Sequence, residues 1–511
     1  MVAPSTKGSS SNDPTQYIHL PISLLPSSFP KQAFQDVIAA APVFNELVDR
    51  LSRDKEYLNN ALGEVSKSDE FTGRLLKMYN EVYPSGVLAS AQPVALGLHR
   101  SDYMIDDSTA GAAAADAAAG AKKRLLQVEL NTIASSFGCL ASVTADLHRY
   151  LLERFFLPSL ALQPPSSSPD ELQAFLSSYL HNHGLLVPPS SSPSAAAAAA
   201  ISNLPPNPTL TQLPSALAAA HTYYNNPEAL IVFIVQPGER NLFDQRFLEL
   251  ALWEKYQKQV VRLSLEEVIT RCMLKKDALF LDGKHEVAVV YFRAGYTPVD
   301  YPSEKAWEAR MMIERSAAVK CPTLGYQLAG TKKVQQLLCE PQALGRFLNR
   351  EQCVVAQKHF TGLYGLGQEE IKEEEGVSAA AVRAAIANPQ AYVLKPQREG
   401  GGNNFYDEEL KRALETWSPE KLSGHVLMQR IQAPARNAYL VREGKVVTGP
   451  AVSELGIFST FLGDTSVSGG KGGVQVNEYA GFNVRTKLAT VNEGGVATGF
   501  AVLDSPMLVD E

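Results

Sequence analysis

The stretch YVLKPQREGGGNN, from Tyr392 to Asn404, decides how this chain is read. Tyr392, Val393 and Leu394 have strand composition, and Gly400, Gly401 and Gly402 then give the backbone conformations closed to other residues and let it approach a ligand closely. Lys395, at the strand end, can neutralise phosphate charge, and Glu399, four residues on, supplies a hard oxygen of the kind Mg2+ takes. Strand, lysine, carboxylate and bare backbone together describe a mobile phosphate-covering lid over 395–404. A glycine-rich surface hairpin is the plain alternative; the flanking Arg398, Glu399, Asn403 and Asn404 favour the nucleotide.

The chain that surrounds this stretch has 511 residues, enough for about three domains or one large elaborated catalytic unit. A hydrophobic content of 45% with 20% charged residues is that of a globular protein, and a net charge of −7 argues against nucleic acid or an anionic membrane surface as partner. No apolar run reaches the length of a membrane span, and the opening MVAPSTKGSSSNDPTQ lacks the apolar core of a signal peptide, so the expected location is the cytoplasm. Cys139, Cys272, Cys321, Cys339 and Cys353 are odd in number and contain no CxxC pair, which excludes a disulfide framework and a cysteine zinc site.

Before the lid, residues 1–15 are polar and expected to be disordered. Phe34 to Leu51 has helical apolar spacing, and Val94–Leu98 and Leu125–Leu130 read as strands. The alanine- and glycine-rich run 109–120 sits where those two strands would connect. A second low-complexity region, 158–217, reads as an elaboration outside the core, with one short helix near 171–180. From 229 onward strand and helix alternate, through Leu230–Val235, Gln245–Lys258, Gln259–Leu263, Glu266–Met273 and Val287–Phe292, which predicts a parallel sheet. Helices are expected at Glu304–Val319 and Thr331–Asn349. The expected domains are a catalytic body over 16–225 and 331–511, with an α/β substrate-binding domain over 226–330 set into it.

Several clusters carry chemistry. Glu129 and Asn131 alternate along a strand, share one face and could together hold Mg2+; a solvated polar strand face is the alternative. Glu239 to Arg246 follows the strand Leu230–Val235, and Arg293-Ala-Gly-Tyr296 follows Val287–Phe292, at the carboxyl edge where α/β sheets take ligands. An arginine there suits a carboxylate. Gly330-Thr-Lys-Lys333 opens a helix that favours an anion. Arg485 and Lys487 share a strand face. Gly463–Gly473 lacks the P-loop spacing, and there is no G-x-S-x-G or HExxH. His181 and His183 read as solvated. Without a nucleophile, the chemistry expected is phosphoryl transfer managed by metal and cations.

The ordered motifs LHRSDYM, VELNTIASSFG, ERNLFDQR, VVYFRAGY, QLAGTKKVQQ, VLKPQREGGGNNFY, SELGIF and VRTK resemble those of the eukaryotic-type glutathione synthetase family of the ATP-grasp superfamily, from Phe34 to the C-terminus apart from the two low-complexity regions. The resemblance implies an α+β fold: an ATP-grasp body with an inserted α/β parallel-sheet domain, assembled as a homodimer. It also implies a ligase that joins γ-glutamylcysteine to glycine through an acyl phosphate, with ATP as co-substrate and Mg2+ as cofactor.

Transferred by motif, Glu129, Asn131 and Glu399 would hold the metal, and Arg485, Lys395 and Lys332 would be catalytic. Gln397, Arg398, Gly400 to Gly402, Asn403, Asn404, Tyr406, Met428, Gln429, Arg430, Ile431, Glu454, Lys487 and Glu493 would join Glu129 and the two lysines around ATP. Arg100, Ile133, Ala134, Ser135, Ser136, Glu239, Arg240, Asn241, Gln245, Arg293 and Tyr296 would take the dipeptide, and Arg485, Val496 and Ala497 the glycine end. Two positions depart from the family pattern: Gln429 stands where an acidic residue is common, and Glu493 where an aspartate is usual. A sister ligase that takes β-alanine, and a non-catalytic nucleotide-binding regulator, are the alternatives. The set Glu129, Asn131, Glu399, Lys395 and Arg485 speaks against the regulator.

Overall fold

The computed structural model describes residues 19–83, 93–107, 123–156, 169–185, 193–239, 241–340, 342–372, 375–398, 402–464, 473–492 and 494–510. Arg240, Glu399, Gly400, Gly401, Glu493, the segment 1–15, the run 109–120 and the hairpin tip 465–472 lie outside these residues.

The strand Val94–Asp106 runs through the middle of the architecture. It pairs antiparallel with Arg124–Asn131 on one side and with the long strand Lys445–Asp464 on the other. Lys445–Asp464 in turn forms an antiparallel hairpin with Val474–Leu488. The four strands Val319–Cys321, His285–Phe292, Leu230–Ile234 and Val260–Leu263 run parallel, as the alternation of strand and helix predicts. They are not a sheet of their own: Lys320 pairs with Ala95, so the parallel part continues the antiparallel part in one mixed sheet of 13 strands. The helix expected to reach Val319 ends at Arg315 for this reason, since Val319 to Cys321 are taken up by the sheet. Likewise the helix expected over Thr331–Asn349 stops at Leu338.

Alternation along Val94–Asp106 accounts for what each face does. On one face Tyr103 and Ile105 pack with Leu455, Ile457 and Phe482 beneath Phe34, Val37 and Ala41 of the helix Lys31–Ser52. The other face begins apolar: Leu96 and Leu98 pack with Phe458 and with Leu213, Ala216 and Leu217 of the helix Thr209–Tyr224. At Arg100 and Asp102 that same face turns polar, and there the core gives way to a cleft lined by Arg100 and Met104.

A second sheet of three antiparallel strands, Leu363–Gly365, His425–Gln429 and Tyr392–Pro396, faces this cleft. Leu394 and Leu427 pack away from the cleft against Ala381, Leu410 and Ala413 of the helices Val377–Ala387 and Asp407–Thr416. Val393, Lys395 and Met428 point the other way, into it.

The region 158–217 contributes more than elaboration. Helices occupy Pro169–Asn182, Pro193–Ser202 and Thr209–Tyr224, and Leu176, Tyr179, Leu180, Ala197 and Ala200 form a buried cluster with Met507 and Val509. His183 is buried there, bonded to the Tyr179 carbonyl at 2.8 Å, whereas His181 is exposed as expected. The two ends of the chain meet in the same neighbourhood. Ser27–Pro30 pairs parallel with Pro506–Val509, and Ser27 Oγ donates to Asp504 Oδ2 at 2.7 Å across 477 residues.

Candidate active site

Between the two sheets lies a cleft of about 1030 Å³. Register sets its floor. Asn483, Gly456, Asp102 and Glu129 stand in one row across four adjacent strands, and Arg485 stands opposite Glu454 in the next. Arg100 grips Asp102 with two bonds, Nε to Oδ1 at 2.6 Å and NH2 to Oδ2 at 2.7 Å. Arg485 NH2 reaches Asp102 Oδ2 at 2.7 Å and Glu454 Oε1 at 2.6 Å. Asn131 donates its amide nitrogen to Asp102 Oδ2 at 2.9 Å and to the Arg100 carbonyl at 3.3 Å, which turns its amide oxygen away from both.

Glu129 is half-buried, with Lys332 Nζ 3.7 Å from its carboxylate. Burial alone would raise its pKa, but Lys332, Lys395, Arg485 and Arg100 outweigh that and hold it down to about 2. It is therefore ionised at any working pH and is a hard oxygen donor. Glu454 goes the other way: burial, with Asp102 and Glu129 as negative neighbours, raises it despite Arg485. Lys332 Nζ donates to the Arg398 carbonyl at 2.8 Å and Lys395 Nζ to the Val128 carbonyl at 3.2 Å. Each lysine thus joins the floor to the three-stranded sheet.

The substrate side is built on a turn after Asn131. Ala134 and Phe137 adopt left-handed φ of 52° and 68°, a strained choice for residues with side chains. Arg293 NH1 holds this turn through the carbonyls of Ser135 at 2.7 Å and Ala134 at 3.2 Å. Asp244 accepts from the backbone N–H groups of Phe137, Cys139 and Leu140 at 2.9–3.2 Å, fixing the start of the helix Gly138–Phe156. Glu239 accepts from Asn241 N at 2.7 Å and Gln245 Nε2 at 2.6 Å. Asp300 takes the N–H groups of Gly295, Tyr296 and Thr297, presenting the Tyr296 ring to the cleft.

The residues expected from the sequence separate into four groups. Arg100, Glu129, Asn131, Ile133 to Ser136, Glu239, Asn241, Arg293, Tyr296, Lys332, Lys395, Arg398, Asn404, Tyr406, Met428 to Ile431, Glu454, Arg485, Lys487, Val496 and Ala497 all line the one cleft. Gln245 and Gln397 are buried behind its wall, the first bonded to Glu239 and Arg262, the second accepting from Lys333 N at 3.1 Å. Gly402 and Asn403 are exposed and off the lining, Gly402 with a φ of 91°. Arg240, Glu399, Gly400, Gly401 and Glu493 are outside the described residues. Of the two lysines that open the helix at 332, only Lys332 lines the cleft, because Lys333 turns to Glu370 at 2.6 Å.

The sequence reading missed Asp102, Asp244, Asp300 and Gln236. Asp102 carried a usable signal, since it lies two residues from Arg100 on a strand and so shares its face. Among the described residues no group of three or more His, Cys, Asp or Glu side chains could hold a metal ion, and no helix is long and apolar enough to cross a membrane.

A family model described as eukaryotic glutathione synthase, ATP binding domain, matches residues 1–508. A chloroplastic glutathione synthetase of Solanum lycopersicum is 39% identical over 496 residues, covering 96% of this chain and 78% of that protein. The glutathione synthetase of Dictyostelium discoideum is 35% identical over 99% of this chain and 95% of its own length, and that of Homo sapiens 37% identical over 96% and 90%. In fold, the chain is similar to a glutathione synthetase-like effector from Globodera pallida in its apo form, with a TM-score of 0.67 at 23% identity over 96% of this chain and 91% of that one. On these matches, which run nearly end to end, the chain belongs to the eukaryotic glutathione synthase family.

Proposed function

We propose that this protein is a glutathione synthetase, an ATP-dependent ligase that joins γ-glutamylcysteine to glycine and releases glutathione, ADP and phosphate. Membership of the family supports the reaction. The single observation that ties it to this chain is the ionised Glu129 ringed by Lys332, Lys395, Arg485 and Arg100 on the floor of one cleft between two sheets. We read that arrangement as an ATP-grasp site, with the body over 16–225 and 331–511 and the substrate-binding part over 226–330.

In this reading the adenine end lies along Met428, Gln429, Arg430 and Ile431, and the phosphates lie toward Lys332 and Lys395, which neutralise them. The donor set suits Mg2+: Glu129 is a charged oxygen donor, and Asn131 is anchored through its nitrogen so that its oxygen is left for an ion. Glu129 and Asn131, with Glu399, would hold it. When bound, Mg2+ supplies charge neutralisation for phosphoryl transfer. The dipeptide, placed against Arg100, Ser135, Ser136, Glu239, Asn241, Arg293 and Tyr296, attacks the γ-phosphate with its terminal carboxylate, and ADP leaves. The glycine amine, placed by Arg485, Val496 and Ala497, then attacks the acyl carbonyl and expels phosphate. Arg485 stabilises the anionic centre, and the glycine-rich lid excludes water that would hydrolyse the acyl phosphate.

The five free cysteines suit a reducing compartment, here the cytoplasm, and we take the working assembly to be a homodimer. The deciding assay is ADP release by the purified protein with Mg-ATP and γ-glutamylcysteine, with glycine, β-alanine or no acceptor, the peptide being identified by mass. Glycine-dependent formation of glutathione is the expected outcome. Preference for β-alanine would move the acceptor assignment, since one methylene is worth only about 1–3 kcal/mol, and acceptor-independent ADP release or none would remove the ligase reading.

A further inference from the structure

We infer that Asp102 is a positioning residue that couples the dipeptide side of the cleft to the acceptor side, by holding Arg100, Arg485 and the Asn131 amide on one carboxylate. The inference rests on the glutathione synthetase reading above. Asp102 is fully buried, yet it meets no substrate surface of its own and does not line the cleft. All its bonds go to residues that do. It accepts from Arg100 Nε at 2.6 Å and NH2 at 2.7 Å, from Arg485 NH2 at 2.7 Å and from Asn131 Nδ2 at 2.9 Å. Three strands, Val94–Asp106, Arg124–Asn131 and Val474–Leu488, thus send a functional side chain to the same two oxygens.

Arg485 and Asp102 are not on neighbouring strands. Lys445–Asp464 runs between them, with Glu454 opposite Arg485 and Gly456 opposite Asp102. A Cβ at Gly456 would lie 2.1 Å from Asn483 Oδ1, 2.8 Å from Arg100 Cδ and 2.8 Å from Asp102 Oδ1. The bare glycine leaves room for the Arg100 side chain to lie against the Asp102 carboxylate, which Arg485 reaches from two strands away. Burial of a carboxylate is costly unless it is paired and bonded, and here Arg100, Arg485 and Asn131 together satisfy it. The position of either arginine therefore depends on the other through Asp102.

The test is a steady-state analysis of Asp102→Asn at saturating Mg2+. Removing the charge on a buried acceptor of charged donors predicts a rise of about tenfold or more in KM for both γ-glutamylcysteine and glycine, with KM for ATP changed less than about threefold. Added to Arg485→Ala, Asp102→Asn should lower kcat/KM for glycine by less than about threefold, because the residue through which it acts is gone. A merely structural role would lower the yield of active enzyme and leave all three KM values unmoved; that result, or full additivity with Arg485→Ala, overturns the inference. Should Asp102→Asn fail to fold, Arg100→Lys and Arg485→Lys are combined instead. Non-additive losses in kcat/KM support the shared carboxylate, and additive losses overturn it. Wild-type enzyme that makes no glutathione would instead count against the functional reading alone.

Discussion

Arg485 draws its state from its neighbours. Burial would lower the pKa of its guanidinium, and Asp102, Glu454 and Glu129 reverse that and raise it, so the charge is locked in place before any substrate arrives. A fixed cation aimed at a developing anion is worth about a hundredfold or more in rate, and Arg485→Ala should lose that much in kcat. Unchanged turnover in the purified variant would show the cation is a spectator. His99, next to Arg100 but on the opposite face of the strand, behaves in the contrary way. It is buried with Nδ1 2.9 Å from Asn45 Oδ1, and burial pushes its pKa down to about 3. The unfolded chain has the ordinary value of about 6.5, so it takes up the proton first as the pH falls, and stability is lost between those two values at up to about 1.4 kcal/mol per pH unit. Urea unfolding of the wild type should lose about 2 kcal/mol from this residue between pH 7 and pH 5, and His99→Gln should flatten that dependence. An unchanged slope in the variant would place the acid sensitivity elsewhere.

Among the elements, the strands and their ends were legible because alternation and strand-end chemistry are local. Glu129 and Asn131 announce themselves within a few residues, and Glu239 and Arg293 each stand within a few residues of a strand end. Asp102 announces only Arg100, two residues away; its partners Asn131 and Arg485 come from other strands, and only the register brings them together. The helices at 193–202 and 209–224 were hidden for a different reason. Serine, proline and alanine repeats masked a helix whose Ala197 and Ala200 are fully buried, and Pro214 disguised another that lies against the sheet. Alanine is the best helix former, but a helix of alanines has few large side chains to mark its buried face. The packing makes a clear forecast: Leu217, fully buried between that second helix and Phe458, should cost about 2–5 kcal/mol when changed to alanine. Urea midpoints should report it with an unchanged slope; a cost under about 0.5 kcal/mol, typical of a surface site, would return the segment to the periphery.

For the whole molecule, the cleft is lined from Arg100 to Thr498, so on the proposed reading a nucleotide held between the two sheets would join segments far apart in the sequence. Mg-ATP at a hundred times its dissociation constant should therefore add about 2.7 kcal/mol to the stability of the entire unit. In calorimetry this appears as one transition moving upward. A second transition left in place would mean that the two sheets unfold independently of the site. The closing of the chain on itself also governs how the protein is made. Ser27 and its strand wait for a partner 477 residues away. At 5–20 residues per second the ribosome delivers that partner roughly 25–95 s later. For that interval the newborn polypeptide carries an open strand edge that nothing of its own can cover. Translation speed over the 477 codons that separate the two partners thus sets how long this enzyme is exposed to mispairing.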